Sequence, residues 1–236
     1  MEGMWNSILD VLKLFLSGDQ KLYEIIFLSL KVSFSAVLIG VLIGIPIGSF
    51  MGMVDFKGHK LMVILIYTLM GMPPVLAGVA IYLLLSANGP LGQWQLLFTP
   101  GAMIMAQVVL VTPIIAGLTM VAVRSRVKIF FESAVSLGAN KVQIAWLITR
   151  EAKNGIMAAV VTAFGRAIAE VGAVMLVGGN IENYTRVMTT SIILETRKGN
   201  FDLALGLGIV LLVISFLING FLVAGVLPYL QRGEQV

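Results

Sequence analysis

Cysteine is absent, so no disulfide, thiolate nucleophile or cysteine metal site can form. Histidine is nearly absent: His59 stands alone in a short loop, which leaves neither a histidine metal cluster nor a His-based catalytic triad. Charge is scarce, at 12% of residues, about half the share of an ordinary soluble domain. There is no Gly-x4-Gly-Lys-Ser/Thr phosphate loop, so this chain does not burn ATP itself. The N-terminus lacks the basic n-region and compact apolar run of a signal peptide. No convincing internal repeat is present, whereas many ATP-independent carriers show one. An intramembrane protease or lipid transferase would need clustered His, Asp, Glu or Ser at helix spacing. Only Arg166 and Glu170 are charged at depth in an apolar run.

What is present is apolar. The 236 residues are 58% hydrophobic, with mean hydropathy +0.99, the composition of an all-α polytopic membrane protein. The length suits one membrane domain of about five transmembrane helices. Residues 1–20 form a separate N-terminal amphipathic segment. There Met4, Trp5, Ile8, Leu9, Leu12, Phe15 and Leu16 share one helical face, opposite Asn6, Asp10 and Lys13. At this length the segment lies in the interface and does not span.

The membrane domain covers residues 21–230. Span 1 is expected over Ile25–Met53, where Ala36, Gly40, Gly44, Gly48 and Gly52 recur every fourth residue and form a ridge, read first as a surface for close helix packing and second as a pore lining. Lys31, near its outer end, is read either as an anion ligand or as a snorkelling lysine. Span 2 runs over Leu61–Leu85, interrupted at Gly71-Met72-Pro73-Pro74. Two prolines remove two backbone donors there, and in hydrocarbon such a break survives only where protein or water meets the freed groups. Met72, Pro73 and Pro74 are therefore candidates to line a pathway or to form a packing kink. Span 3 covers Gly101–Val123 and contains Gln107 and Thr112-Pro113. Short helices are expected within Ile129–Thr149. Span 4 covers Asn154–Val177 and carries Arg166 and Glu170, four residues apart and so on one helix face. The pair is read as an anion contact or gate, or as a structural ion pair. Residues 181–202 fit a short helix at the outer surface, and span 5 runs over Leu203–Leu227.

Counting fixes the expected orientation. With the N-terminus outside, the inner segments hold Lys57, Lys60, Arg124, Arg126, Lys128, Lys141, Arg150, Lys153 and Arg232. The outer ones hold Lys13, Lys21, Arg186, Arg197 and Lys198. The excess lies inside, as topology requires, and puts the C-terminus in the cytoplasm. The net charge of +4 thus reflects membrane topology and does not call for a nucleic-acid partner.

The half-polar stretch Glu132-Ser133-Ala134-Val135-Ser136-Leu137-Gly138 lies in the basic loop 124–153. A glutamate, two small residues, three more residues and a glycine, placed between spans 3 and 4, resemble the coupling loop of type I ABC importer permeases. Glu132, Ser133, Ala134 and Gly138 fall on that motif. The resemblance implies a helix that docks on a cytoplasmic ATPase. The chain departs from the pattern where the family often has Ile-x-Leu-Pro: Ile148 is followed by Thr149-Arg150-Glu151. Further runs resemble the molybdate and tungstate permeases: Ser29–Ser33, Met72–Pro74 and Arg166–Ala173. Val177–Ile181, Thr185–Thr190 and Leu194–Gly199 are similar to the tungstate branch. The resemblance implies the type I ABC importer permease fold, importing an oxyanion across a prokaryotic cell membrane. It implies a homodimer of this chain in the lipid bilayer, two ABC ATPase subunits and an extracytoplasmic oxyanion-binding protein. No cofactor is expected on this chain, since ATP and Mg would be bound by the ATPase. An ATP-independent secondary anion carrier is the main alternative function, an intramembrane enzyme the other.

Overall fold

The computed structural model describes residues 20–224, except the side chain of Leu222. The expected amphipathic helix over Met4–Leu16 and the terminal Arg232 lie outside the described residues. Every regular element described is helical. Helix α1 is Gln20–Met53, unbroken through Pro46. Helices α2, His59–Met70, and α3, Pro74–Leu85, take the place of one continuous second span. A short 3-10 turn at Gly92–Trp94 leads to α4, Pro100–Ser136. Then follow α5, Lys141–Glu151, α6, Lys153–Ile168, and α7, Gly172–Gly178. The chain closes with α8, Met188–Arg197, and α9, Phe201–Ala224.

Three helices are long and apolar enough to cross a membrane: α1, α4 and the stretch Phe201–Phe221 of α9. The pairs α2/α3 and α6/α7 pass the same test together but are bent by 98° and 56°, so the described residues hold three candidate spans, or five if each bent pair is counted as one.

Two boundaries differ from expectation. Helix α4 does not stop at Val123 but runs on to Ser136. The reason is an apolar stripe that survives the charged stretch: Val123, Val127, Phe130 and Ala134 recur at helical spacing and pack on Ile144, Ile148, Ala152 and Ile156. Span 4 is not one helix but breaks at Ala169–Val171.

The chain divides into two compact units. One comprises residues up to Ala36 with Pro73–Gln107 and Ala167–Ile218. Its core includes Leu22, Ile26, Met188 and Leu207. Here α3 packs on α7, and a Cβ added at Gly78 would stand 2.8 Å from the Cα of Ala173. The second unit comprises Val37–Met72, Val108–Arg166 and the residues from Asn219. In it the glycine ridge of α1 meets α4 directly. A Cβ at Gly44 would lie 2.9 Å from that of Ile115, one at Gly52 2.8 Å from the Met120 carbonyl, and one at Gly48 would run into the Ala116 carbonyl. The ridge is a packing surface, with backbones in the close approach that small residues permit in lipid.

Candidate functional site

Two places combine interruption, polarity and exposure: the helix breaks and the α4–α5 turn. At the second break, the expected face shared by Arg166 and Glu170 does not exist, because α6 ends at Ile168. Arg166 is half-buried in the last turn of α6, while Glu170 lies outside the helix and is 4% exposed. Its Oε1 accepts the Ala173 N–H at 3.0 Å, in the first turn of α7. A carboxylate suits that position, where unpaired donors and the positive end of the helix dipole coincide. Two carbonyls at the break also accept from side chains. Gln107 Nε2 donates to the Ala167 carbonyl at 2.9 Å, and Thr189 Oγ1 donates to that of Glu170 at 2.9 Å. Both donors are buried. Ser29 Oγ, also buried, accepts the Met188 N–H at 2.8 Å. These bonds meet part of the break's polar groups, while the Gln107 Oε1 is buried without a hydrogen-bond partner. Gln107 and Thr189 gain a role that their residue types alone did not announce. A glutamine inside an apolar span was the available signal.

The first break follows the same logic by different means. Pro74 takes the first helical position of α3, where its missing N–H is not needed. The Pro73 carbonyl accepts from Leu76 N at 3.0 Å and Ala77 N at 3.4 Å. Met72 N donates to Leu69 O at 3.2 Å, closing α2. Pro73 is exposed, while Met72 and Pro74 are half-buried.

The turn after α4 is built as a Schellman helix end. Gly138 has φ +77°, its N–H donates to Val135 O at 2.9 Å, and Ala139 N–H donates to Ala134 O at 3.0 Å. Asn140 then caps α5: its Oδ1 accepts from Gln143 N at 2.9 Å, and the Gln143 Oε1 accepts from Asn140 N at 2.8 Å. Ala134 is buried in the chain's own core, while Glu132 and Ser133 are exposed. Three apolar side chains that the motif did not single out project here: Leu137 is 88% exposed, Val142 78% and Trp146 62%. The Arg150 guanidinium lies 5.1 Å from the centre of the Trp146 ring. The far boundary of the region falls at Ala152, between α5 and α6, without a proline.

Nearby, Arg124 grips Asp55 with two parallel bonds, Nη1 to Oδ1 at 3.0 Å and Nη2 to Oδ2 at 3.2 Å. This hydrogen-bonded guanidinium holds the Asp55 carboxyl below its ordinary value of 3.8. The α1–α2 turn is thereby tied to α4. No group of three or more His, Cys, Asp or Glu side chains capable of holding a metal ion occurs among the described residues.

The sequence profile of the family described as "Binding-protein-dependent transport system inner membrane component" matches residues 44–232. The chain belongs to this family. It is a membrane permease component of an ABC-type transport system, a transport subunit and not an enzyme. The permease is 45% identical to the tungstate uptake system permease protein TupB of Peptoclostridium acidaminophilum, over 93% of this chain and 96% of the relative. It is 40% identical to a probable anion ABC transporter permease protein of Haloferax volcanii, over 87% and 92% of the two chains. The TupB of Campylobacter jejuni is 36% identical over 70% and 69%. Among solved structures, an amino acid ABC transporter with histidines matches with a TM-score of 0.58 at 20% identity, covering 92% of this chain and 96% of that one. That likeness supports the permease fold expected from the sequence.

Proposed function

We propose that this permease forms the membrane pathway of an ATP-driven tungstate importer. The observation that carries the substrate is the 45% identity with a tungstate uptake permease along nearly the full length of both chains. Two copies would enclose the pathway, an extracytoplasmic protein would deliver the oxyanion, and two ATPase subunits would bind the cytoplasmic face. ATP and Mg belong to those subunits. The N-terminus lies outside and the C-terminus in the cytoplasm of a prokaryote, in keeping with the distribution of Lys and Arg.

The α4–α5 turn is the contact with the ATPase. Leu137, Val142 and Trp146 present an apolar surface, and Glu132 and Ser133 flank it, a combination that fits a groove on a soluble partner. Ala134 acts from beneath by holding α4 to α5 and α6, so motion imposed on the turn passes into α6 as a unit. The residues of the two breaks, Met72, Pro73, Pro74 and Arg166, are the pathway candidates. Glu170 belongs with them and also holds the first turn of α7 through its Oε1.

The test is reconstitution of the permease with its ATPase and binding protein in vesicles. Tungstate should stimulate ATP hydrolysis and accumulate inside, while molybdate and sulfate give less of both. Equal stimulation by all three oxyanions would overturn the substrate assignment. Uptake without any ATPase would overturn the coupling.

A further inference from the structure

A groove of about 470 Å³ runs between α2 and α4 within one compact unit. One end is polar and basic: Lys60, Arg124 and His59 line it. Further along α2 the walls become apolar, with Val63, Ile64 and Tyr67 facing Val121. On α2 these residues fall at helical spacing from 59 to 67, so the polarity changes along the groove and not across it. Ile64, Tyr67 and Val121 are 61%, 49% and 51% exposed.

At the basic end Arg124 is already paired with Asp55, and the uncompensated charge is that of Lys60. Asp55, the carboxylate at this end, already has both oxygens on Arg124. Lys60 is exposed and has no ion-pair partner among the described residues. His59 Nε2 is bonded to the Met51 carbonyl at 2.9 Å. A ligand that matches this groove carries a negative headgroup at one end and a flexible apolar chain at the other.

We propose that the α2–α4 groove binds an anionic glycerophospholipid, with its phosphate at Lys60, beside the Arg124–Asp55 pair, and an acyl chain along Val63, Tyr67 and Val121. A zwitterionic lipid brings a compensating ammonium to the same cation and gains less. The charge complementarity selects this occupant over a second copy of the chain, which would have to bury Lys60 or pair it with an acid.

Tyr67→Trp places a fluorophore on the groove wall. The full-length permease carrying it is reconstituted in vesicles containing either brominated phosphatidylglycerol or brominated phosphatidylcholine. Quenching of the added fluorescence, relative to the parent with its three tryptophans, reports the lipid in the groove. Phosphatidylglycerol should be preferred, and Lys60→Gln should cut the preference about fivefold, the value of one basic residue near a membrane surface. Lys60→Arg should keep it, which separates loss of charge from damage to the fold. Equal quenching by both lipids in the parent charge state would overturn the proposal. So would absence of quenching by either lipid together with disulfide trapping of two chains through Tyr67→Cys, which would assign the groove to the dimer.

Discussion

Replacing Gly138 by valine should uncouple the permease from its ATPase without unfolding it. At φ +77° a side chain with a Cβ costs about 1–2 kcal/mol, with β-branched residues at the upper end. There is no clash to add, since nothing lies within 4 Å of a Cβ built at this position. The total is small beside the roughly 5–15 kcal/mol that holds a domain together. It is, however, comparable to the two hydrogen bonds of the Schellman end, each worth about 1 kcal/mol net. Valine therefore opens the turn in a large fraction of molecules and displaces Leu137 at its tip. Asparagine tolerates the left-handed conformation and should leave the turn closed. The assay is tungstate-stimulated ATP hydrolysis by the assembled complex, with co-purification of the ATPase measured in parallel. Valine should lower coupling about tenfold, the factor that 1.4 kcal/mol represents, and asparagine by less than about twofold. If asparagine is as damaging as valine, the open space above Gly138 is filled by the partner, and the conformational argument is wrong. Unchanged activity in both variants refutes the coupling role of the turn.

Other changes test other links. Gly48→Val drives a side chain into the Ala116 carbonyl, which cannot move aside, and should cost about 1–3 kcal/mol or more, read as a lower Tm in detergent; Gly208→Ala, with nothing within 4 Å, should be neutral. Glu170→Leu strips the acceptor from the buried Ala173 N–H and should destabilise by about 1–3 kcal/mol, whereas Glu170→Gln keeps an acceptor oxygen and should recover most of the loss in the same assay. The Asp55–Arg124 clip carries a carboxyl with a lowered folded-state pKa, so its contribution is full above pH 3.8 and fades as pH falls below that value. Proteolysis of the 54–58 turn should increase only in that acid range, and Asp55→Asn should raise it at neutral pH.

The architecture was legible because its signals are strongly periodic or chemically unambiguous. A glycine at every fourth position of α1 can pack only one way in lipid, and Pro73-Pro74 cannot sit inside an unbroken helix. The expected orientation rests on lysine and arginine counts alone. The second break was not legible: Ile168-Ala169-Glu170-Val171-Gly172 contains no proline, and nothing local forbids helix there. The interruption depends on partners distant in sequence, Gln107 and Thr189, which supply donors that make it affordable in hydrocarbon. The extension of α4 was hidden for the opposite reason. Charged residues from Arg124 to Lys128 look like the end of a span, yet the apolar stripe continues on the other face. The turn's glycine was readable from the motif, whereas the exposure of Leu137 and Trp146 depends on which face α5 turns inward.

The two breaks also bear on how an anion is handled. At the first, the donors of α3's opening turn are partly used by the Pro73 carbonyl. At the second, the Ala173 N–H is already bonded to a carboxylate of the chain itself. That donor is not left open for an oxyanion. The helix that carries Arg166 ends at Ile168, and Glu170 stands just beyond it. Its Oε1 also has a backbone partner, the Ala173 N–H. A permease that meets its substrate with weak contacts can release it quickly, and selectivity then falls to the delivering protein. The Glu170→Gln variant decides the point. If it is stable and transports normally, Glu170 is an acceptor that shapes the break. If it is stable and transports altered amounts of tungstate, the charge itself acts on the anion, and the structural role assigned here is incomplete.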